Sequence, residues 1–96
     1  MLFVLTATDR ENALVLRMQM RAAHFEYAKA TGVVRLGGPF LDVKGEMAGS
    51  MIVFEAADLA AAKEWAANDP YAKAGLFAQS DVRPWKATFN PINATF

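Results

Sequence analysis

Leu14-Val15-Leu16-Arg17-Met18-Gln19-Met20-Arg21-Ala22-Ala23-His24-Phe25-Glu26-Tyr27 is the stretch on which the fold turns. Advancing about 100° per residue, as a helix does, it gathers its apolar residues into one arc. His24 stands at the centre of that arc, with Leu14, Met18 and Phe25 on one side and Leu16, Met20 and Tyr27 on the other. Asn12, Gln19 and Glu26 take the opposite face, so a helix is predicted from about Asn12 to Thr31, closed by Gly32. His24 is the only histidine in 96 residues. A titratable ring turned inward is either a hydrogen-bonded core group or a reactive one. Arg17 and Arg21 lie about one turn away on its face.

Before the helix, Met1 to Ala7 is rich in strand formers, and Thr8-Asp9-Arg10-Glu11-Asn12 supplies several candidate helix caps. After it, Val33-Val34-Arg35-Leu36 reads as a short strand ended by a turn or bulge at Gly37-Gly38-Pro39. Leu41 to Glu46 reads as a hairpin tip and Met47 to Ala56 as the next strand. Asp58 is placed to cap a second helix over Leu59 to Ala67, with Leu59, Ala62, Trp65 and Ala66 on its inner face. Asn68-Asp69-Pro70 stops it, because the residue before proline is pushed out of the helical region. Tyr71 to Gly75 adds one helical turn, and Phe77 to Trp85 is the last strand. The tail after Phe89 is weakly patterned and is assigned no element.

The expected architecture is therefore α+β: β-α-β-β-α-β, with two helices on one face of a four-stranded antiparallel sheet. The first and third strands are apolar on both faces: Leu2/Val4 and Phe3/Leu5 in one, Ile52/Phe54 and Met51/Val53 in the other. A strand apolar on both faces needs two covers. Helices supply one, and a second copy of the chain packed sheet against sheet is the simplest source of the other.

Composition narrows the function classes. Ten basic residues balance ten acidic ones, leaving no electrostatic footprint for nucleic acid or an anionic membrane. No apolar run approaches the ~20 residues that span a bilayer, and Met1 to Leu5 lacks the basic flank of a signal peptide. Without cysteine there is neither a disulfide framework nor a thiolate, and one histidine makes a protein-only zinc site a poor expectation. A cytoplasmic protein without metal or cofactor is expected.

Five short motifs carry a resemblance. Arg21-Ala22-Ala23-His24, Gly37-Gly38-Pro39, Gly49-Ser50, Asn68-Asp69-Pro70-Tyr71 and Arg83-Pro84-Trp85, in this order and spacing, together resemble the YCII-related (YciI-like) family from Met1 to about Phe89. The resemblance implies a single domain over residues 1–89, with 90–96 left as a tail that inherits nothing. It implies a ferredoxin-like unit forming a dimeric α+β barrel, and an active site built on a His-Asp pair. That pair would fall on His24 and Asp69, with Ser50 and the Gly37-Gly38 turn beside the same cleft. Family members include a dehydrochlorinase acting on a chlorinated hydroxyhydroquinone. The wider fold includes muconolactone isomerase and cofactor-free oxygenases.

Paired in this way, Asp69 would accept a hydrogen bond from one ring nitrogen and the other could move a proton near neutral pH. Asn-Asp-Pro also favours a turn on its own account. Ser50 could offer its hydroxyl to an oxyanion, or serve as a small residue where strand and helix approach closely. Arg21 could hold an anionic substrate or extend to solvent. Tyr71 and Phe77 are candidates to line the cleft, although aromatics at a helix end commonly belong to the core. Arg83 and Trp85 fit structural or interface roles.

The leading expectation is a cofactor-independent lyase or isomerase using His24 and Asp69, dehydrochlorinase-like, on a small polar or aromatic molecule. The alternative is a non-catalytic homodimer that binds a small molecule in the same cleft. A third reading is a cofactor-free oxygenase.

Overall fold

The structure, a computed structural model, describes residues 1–96. It runs β1 (Leu2–Asp9), α1 (Leu14–Thr31), β2 (Val34–Leu41), β3 (Met47–Glu55), α2 (Leu59–Ala67), α3 (Pro70–Lys73) and β4 (Phe77–Pro84). The strands form one antiparallel sheet in the order β2-β3-β1-β4, the ferredoxin-like arrangement. The two most apolar strands thus hold the centre, where both neighbours complete their hydrogen-bond ladders.

Register sets which residues share a face. Phe3 faces Phe54 and Leu5 faces Ile52 across the β1–β3 pair, and Ala7 faces Ser50. Phe3, Leu5, Ile52 and Phe54 form the core cluster with Ala62 of α2, with Trp65 and Ala66 packed against it. The rings of Phe54 and Trp65 stack at 4.4 Å. Burying side chains of this size contributes about 1.5–3 kcal/mol each. Trp65 also ties the two helices together: its indole N–H donates to Thr31 Oγ1 at 3.0 Å, and the Tyr27 hydroxyl donates to the Trp65 carbonyl at 2.8 Å.

Local signals account for most element ends. Gly32 closes α1 in the left-handed conformation, its N–H reaching the Ala28 carbonyl. Asp58 caps α2 by accepting from the Ala61 N–H. In the β2–β3 hairpin the Asp42 carboxylate accepts from the N–H groups of Lys44 and Glu46, and Gly45 supplies the positive φ of 80° that the turn requires.

Several details differ from the sequence expectations. The β2 strand does not end at Gly37-Gly38-Pro39 but runs through it to Leu41. It is an edge strand, where a proline forfeits no ladder bond, and register shifts flank the triplet at Val34/Leu36 and Phe40/Leu41. The first helix begins at Leu14 rather than Asn12. Its N-cap, Ala13, makes no side-chain bond, while Asn12 takes a left-handed turn and the Asp9 carboxylate is engaged by Arg17. The apolar arc of α1 is not fully covered either: Met18 and Phe25 are nearly half exposed, and the one fully buried residue of α1 is Arg17. Leu59, expected on the inner face of α2, is exposed at the helix's first turn.

The sheet's other face carries Leu36, Phe40 and Met51, all exposed, around the buried Val53. The last strand ends at Pro84 instead of Trp85. In the tail, the Asn90 side chain bonds to the backbone of Ala94, and Phe96 meets Trp85 edge-on at 5.6 Å. No helix is long and apolar enough to cross a membrane.

Candidate active site

Arg17, Arg21, His24 and Ala28 fall on one stripe of α1 because residues three, four and seven apart share a helix face. That stripe looks down on β2 and β3, where the opposing residues are small: Gly37, Gly38, Pro39 and Ser50. Large side chains above and small ones below leave a cavity of about 320 Å³, walled by Phe25, Val34, Met47, Ile52 and Tyr71.

His24 Nδ1 lies 2.9 Å from both carboxylate oxygens of Asp69. A carboxylate can only accept, so Nδ1 is the donor, and in the neutral ring Nε2 carries the lone pair. Nε2 has no partner in the chain, and no buried side-chain nitrogen or oxygen lacks one. The atom therefore meets open space, which for His24 is this cavity. Asp69 itself is fully buried. Its Oδ1 also accepts from the Tyr71 N–H at 2.9 Å, capping α3. The turn role and the pairing role read from Asn-Asp-Pro are thus held by one carboxylate together.

Tyr71 stacks on the His24 ring at 4.1 Å and 14° between planes, which holds the imidazole in place. The Arg17 guanidinium lies 4.7 Å over the Tyr71 ring. Burial pushes the Tyr71 hydroxyl above its ordinary 10.0, helped by Asp69 and opposed by Arg17 and Arg21. It stays neutral at physiological pH.

Arg17 holds a second network. Its Nε and Nη2 form a fork on the two Asp9 oxygens at 2.7 and 3.0 Å. Nη2 also donates to the Gly49 carbonyl at 2.8 Å and to Ser50 Oγ at 2.7 Å. Close approach of β1 and β3 makes Gly49 obligatory here, since a Cβ at that position would lie 2.3 Å from the Ala7 carbonyl oxygen.

Of the residues singled out in the sequence, His24, Ser50, Gly37, Gly38, Arg21 and Tyr71 all line this one cavity, with Asp69 directly behind His24. Phe77 does not. It belongs to β4, at the sheet edge opposite β2, and it backs Tyr71 edge-on at 6.2 Å while lining a separate cleft with Leu5 and Val82. Asp9 and the buried role of Arg17 were not singled out. The signal for Arg17 was its place on the His24 stripe; nothing in the sequence marks Asp9 as its partner. No group of three or more metal-ligating side chains exists in the chain.

A ferredoxin-like α+β unit with a histidine–carboxylate pair opening on a cavity between its long helix and its sheet edge defines the class. The chain belongs to the YCII-related domain family, whose model matches residues 1–86. Protein YciI of Escherichia coli O6:H1 is 32% identical over 98 residues, covering 93% of this chain and all of that protein. A protein of unassigned function from Haemophilus influenzae is 34% identical with the same coverage. Among solved structures, 5-chloro-2-hydroxyhydroquinone dehydrochlorinase from Burkholderia phenoliruptrix AC1100, in complex with 2,5-dihydroxybenzoquinone, is similar at 35% identity and a TM-score of 0.82. The match covers 90% of this chain and 94% of that one. An antibiotic biosynthesis monooxygenase shares the fold at 17% identity and a TM-score of 0.58 over 92% of this chain and 99% of that one.

Proposed function

We propose that the chain is a dehydrochlorinase-like enzyme of proton transfer, of lyase or isomerase type. It acts through its own side chains on a small hydroxylated ring held in the His24 cavity. The observation that carries this reading is the His24 geometry: Nδ1 at 2.9 Å from both Asp69 oxygens, with Nε2 free at the cavity wall. Asp69 fixes the tautomer and stabilises the imidazolium once a proton arrives. Nε2 takes a proton from an acidic O–H or C–H of the ligand. Where the ring carries chloride, that proton is returned to the chlorine-bearing carbon to give the keto tautomer. A second ring hydroxyl then loses its proton as chloride departs with its bonding pair, so that one quinone, one proton and one chloride are the balanced products. Similarity to the dehydrochlorinase at 35% identity supports this choice of reaction.

The test is chloride release from 5-chloro-2-hydroxyhydroquinone. The wild-type chain should release it, and His24→Ala should be slower by about 10²–10⁴-fold with its circular dichroism unchanged. No release by the wild type would overturn the proposed reaction; an undiminished rate in the variant would remove His24 from it. Asp69→Asn separates the two duties of that side chain. Asparagine caps a helix as well as aspartate does, so the fold should hold while turnover falls.

We also propose that the working form is a homodimer packed sheet against sheet. Leu36, Phe40 and Met51 form an exposed apolar group on the face away from the helices, at 50%, 45% and 37% exposure. Such a group marks an interaction surface. Sedimentation at micromolar concentration should give a dimer, and Met51→Lys should shift it towards monomer; a wild-type monomer would sink the proposal.

A further inference from the structure

The charged side chains on the His24 cavity wall are both arginines, Arg17 and Arg21, and its other polar side chains are His24, Ser50 and Tyr71. Arginine has no acceptor atom, so Ser50 Oγ must accept from Arg17 Nη2 at 2.7 Å. Nothing in the chain takes the Ser50 hydroxyl hydrogen, and Ser50 lines the cavity. The Arg17 guanidinium also bonds the Tyr71 hydroxyl, and with both residues on the cavity lining its positive charge stands directly behind the Ser50 hydrogen. Arg21 stands on the cavity wall over the Phe25 ring and belongs to no ion pair. No aspartate or glutamate lines the cavity. Asp9 and Asp69 balance the two guanidinium charges in sum, but both carboxylates stand behind the lining while both guanidinium groups are on it, so the wall itself presents positive charge.

We propose that the cavity takes its ligand as an oxyanion, a phenolate or enolate oxygen received by the Ser50 hydroxyl hydrogen with the Arg17 guanidinium charge behind it. This rests on the reading of the cavity as the reaction site. It adds a polarity to that reading: the charged oxygen lies at the β3 side and the proton to be moved lies at His24. Arg17 acts twice, as the charge behind the bound oxygen and as the positioning residue that turns the Ser50 hydrogen outward. A neutral hydroxyl could accept that hydrogen as well, but only an oxyanion gains from the guanidinium charges on the wall. The apolar walls, among them Phe25 and Ile52, suit the flat body of a ring.

The probe is 4-nitrophenol, which is colourless when neutral and yellow as the phenolate. Titrated near its own ionisation midpoint, the wild-type chain should draw it into the yellow form, lowering that midpoint. Ser50→Ala leaves the Arg17 bonds to Asp9 and Gly49 in place, so the fold should stand, checked by its thermal transition. Its affinity for the phenolate should fall by about tenfold or more, as expected for a hydrogen bond to a charged group. Binding of the neutral form, no binding, or a Ser50→Ala affinity within threefold of wild type would each overturn the proposal. His24→Ala should lose turnover yet keep the colour change. Failure of the acid–base reading and failure of this one are therefore told apart by separate measurements.

Discussion

The two helices close the same sheet face by opposite means. Under α2 the closure is apolar and tight, with Phe3, Phe54, Ala62 and Trp65 in contact and no charge among them. Under α1 it is polar and hollow: the buried groups are Arg17, Ser50 and Asp69, and the space they enclose is empty of side chains. The difference teaches where stability and reactivity are kept. Dispersion and water exclusion hold one half, while ion pairs and fixed hydrogen bonds hold the other in a geometry that leaves donors and an imidazole nitrogen unspent.

The sharpest way to break this division is to attack the apolar half. Phe54→Ala removes the ring between Phe3 and Trp65 and should cost about 3–5 kcal/mol in denaturant unfolding at fixed protein concentration. No single second change should recover it. Next comes Arg17→Met, which strands the Asp9 carboxylate at 5% side-chain exposure and should cost about 3 kcal/mol or more. Here a second change, Asp9→Leu, should restore most of the stability, because an apolar pair can replace a buried ion pair. The double variant should still fail to draw 4-nitrophenol into its yellow form. A double variant that captured the phenolate normally would show that the polar half is scaffold only.

The smallest effect is that of alkaline pH. Burial, with Asp69 and Glu64 adding to it, raises Tyr27 above 10.0, and burial raises Tyr71 as well. A tyrosine whose folded value lies above its unfolded one lends stability that is whole below pH 10.0 and lost as pH climbs through the folded value. Unfolding followed against pH should therefore be flat from these two groups through neutrality and weaken only above that point. A loss beginning near pH 8 would have to come from elsewhere.

Much of this was legible in the sequence because the decisive signals are local. Gly32, Asp58 and Asn68-Asp69-Pro70 mark helix ends by their own backbone and capping chemistry, and the runs of strand formers in Met1–Ala7 and Met47–Ala56 mark strands. The β2 strand was misjudged at Gly37-Gly38-Pro39 because an edge position is a property of the sheet, invisible in a glycine-proline triplet. An aromatic residue type alone makes Phe77 a candidate for the cleft; sheet order puts it on the edge strand away from β2, behind Tyr71. Arg17 could be placed on the His24 stripe, yet its burial depends on Asp9, eight residues earlier and in another element. No periodicity links a strand end to the first turn of the helix after it.

Trp65 and Trp85 are the only tryptophans in the chain, and they sit in different surroundings. Trp65 is stacked between Phe54 and Tyr27, with its indole nitrogen bonded to Thr31. Trp85 is 39% exposed just past the end of β4. The molecule thus carries two built-in fluorophores with separate duties. Emission from Trp65 follows the loss of the apolar half, while that from Trp85 follows solvent at the strand end. A Trp85→Phe chain would give folding a single, uncontaminated optical signal, and a Trp65→Phe chain would leave a lamp at the rim of the sheet.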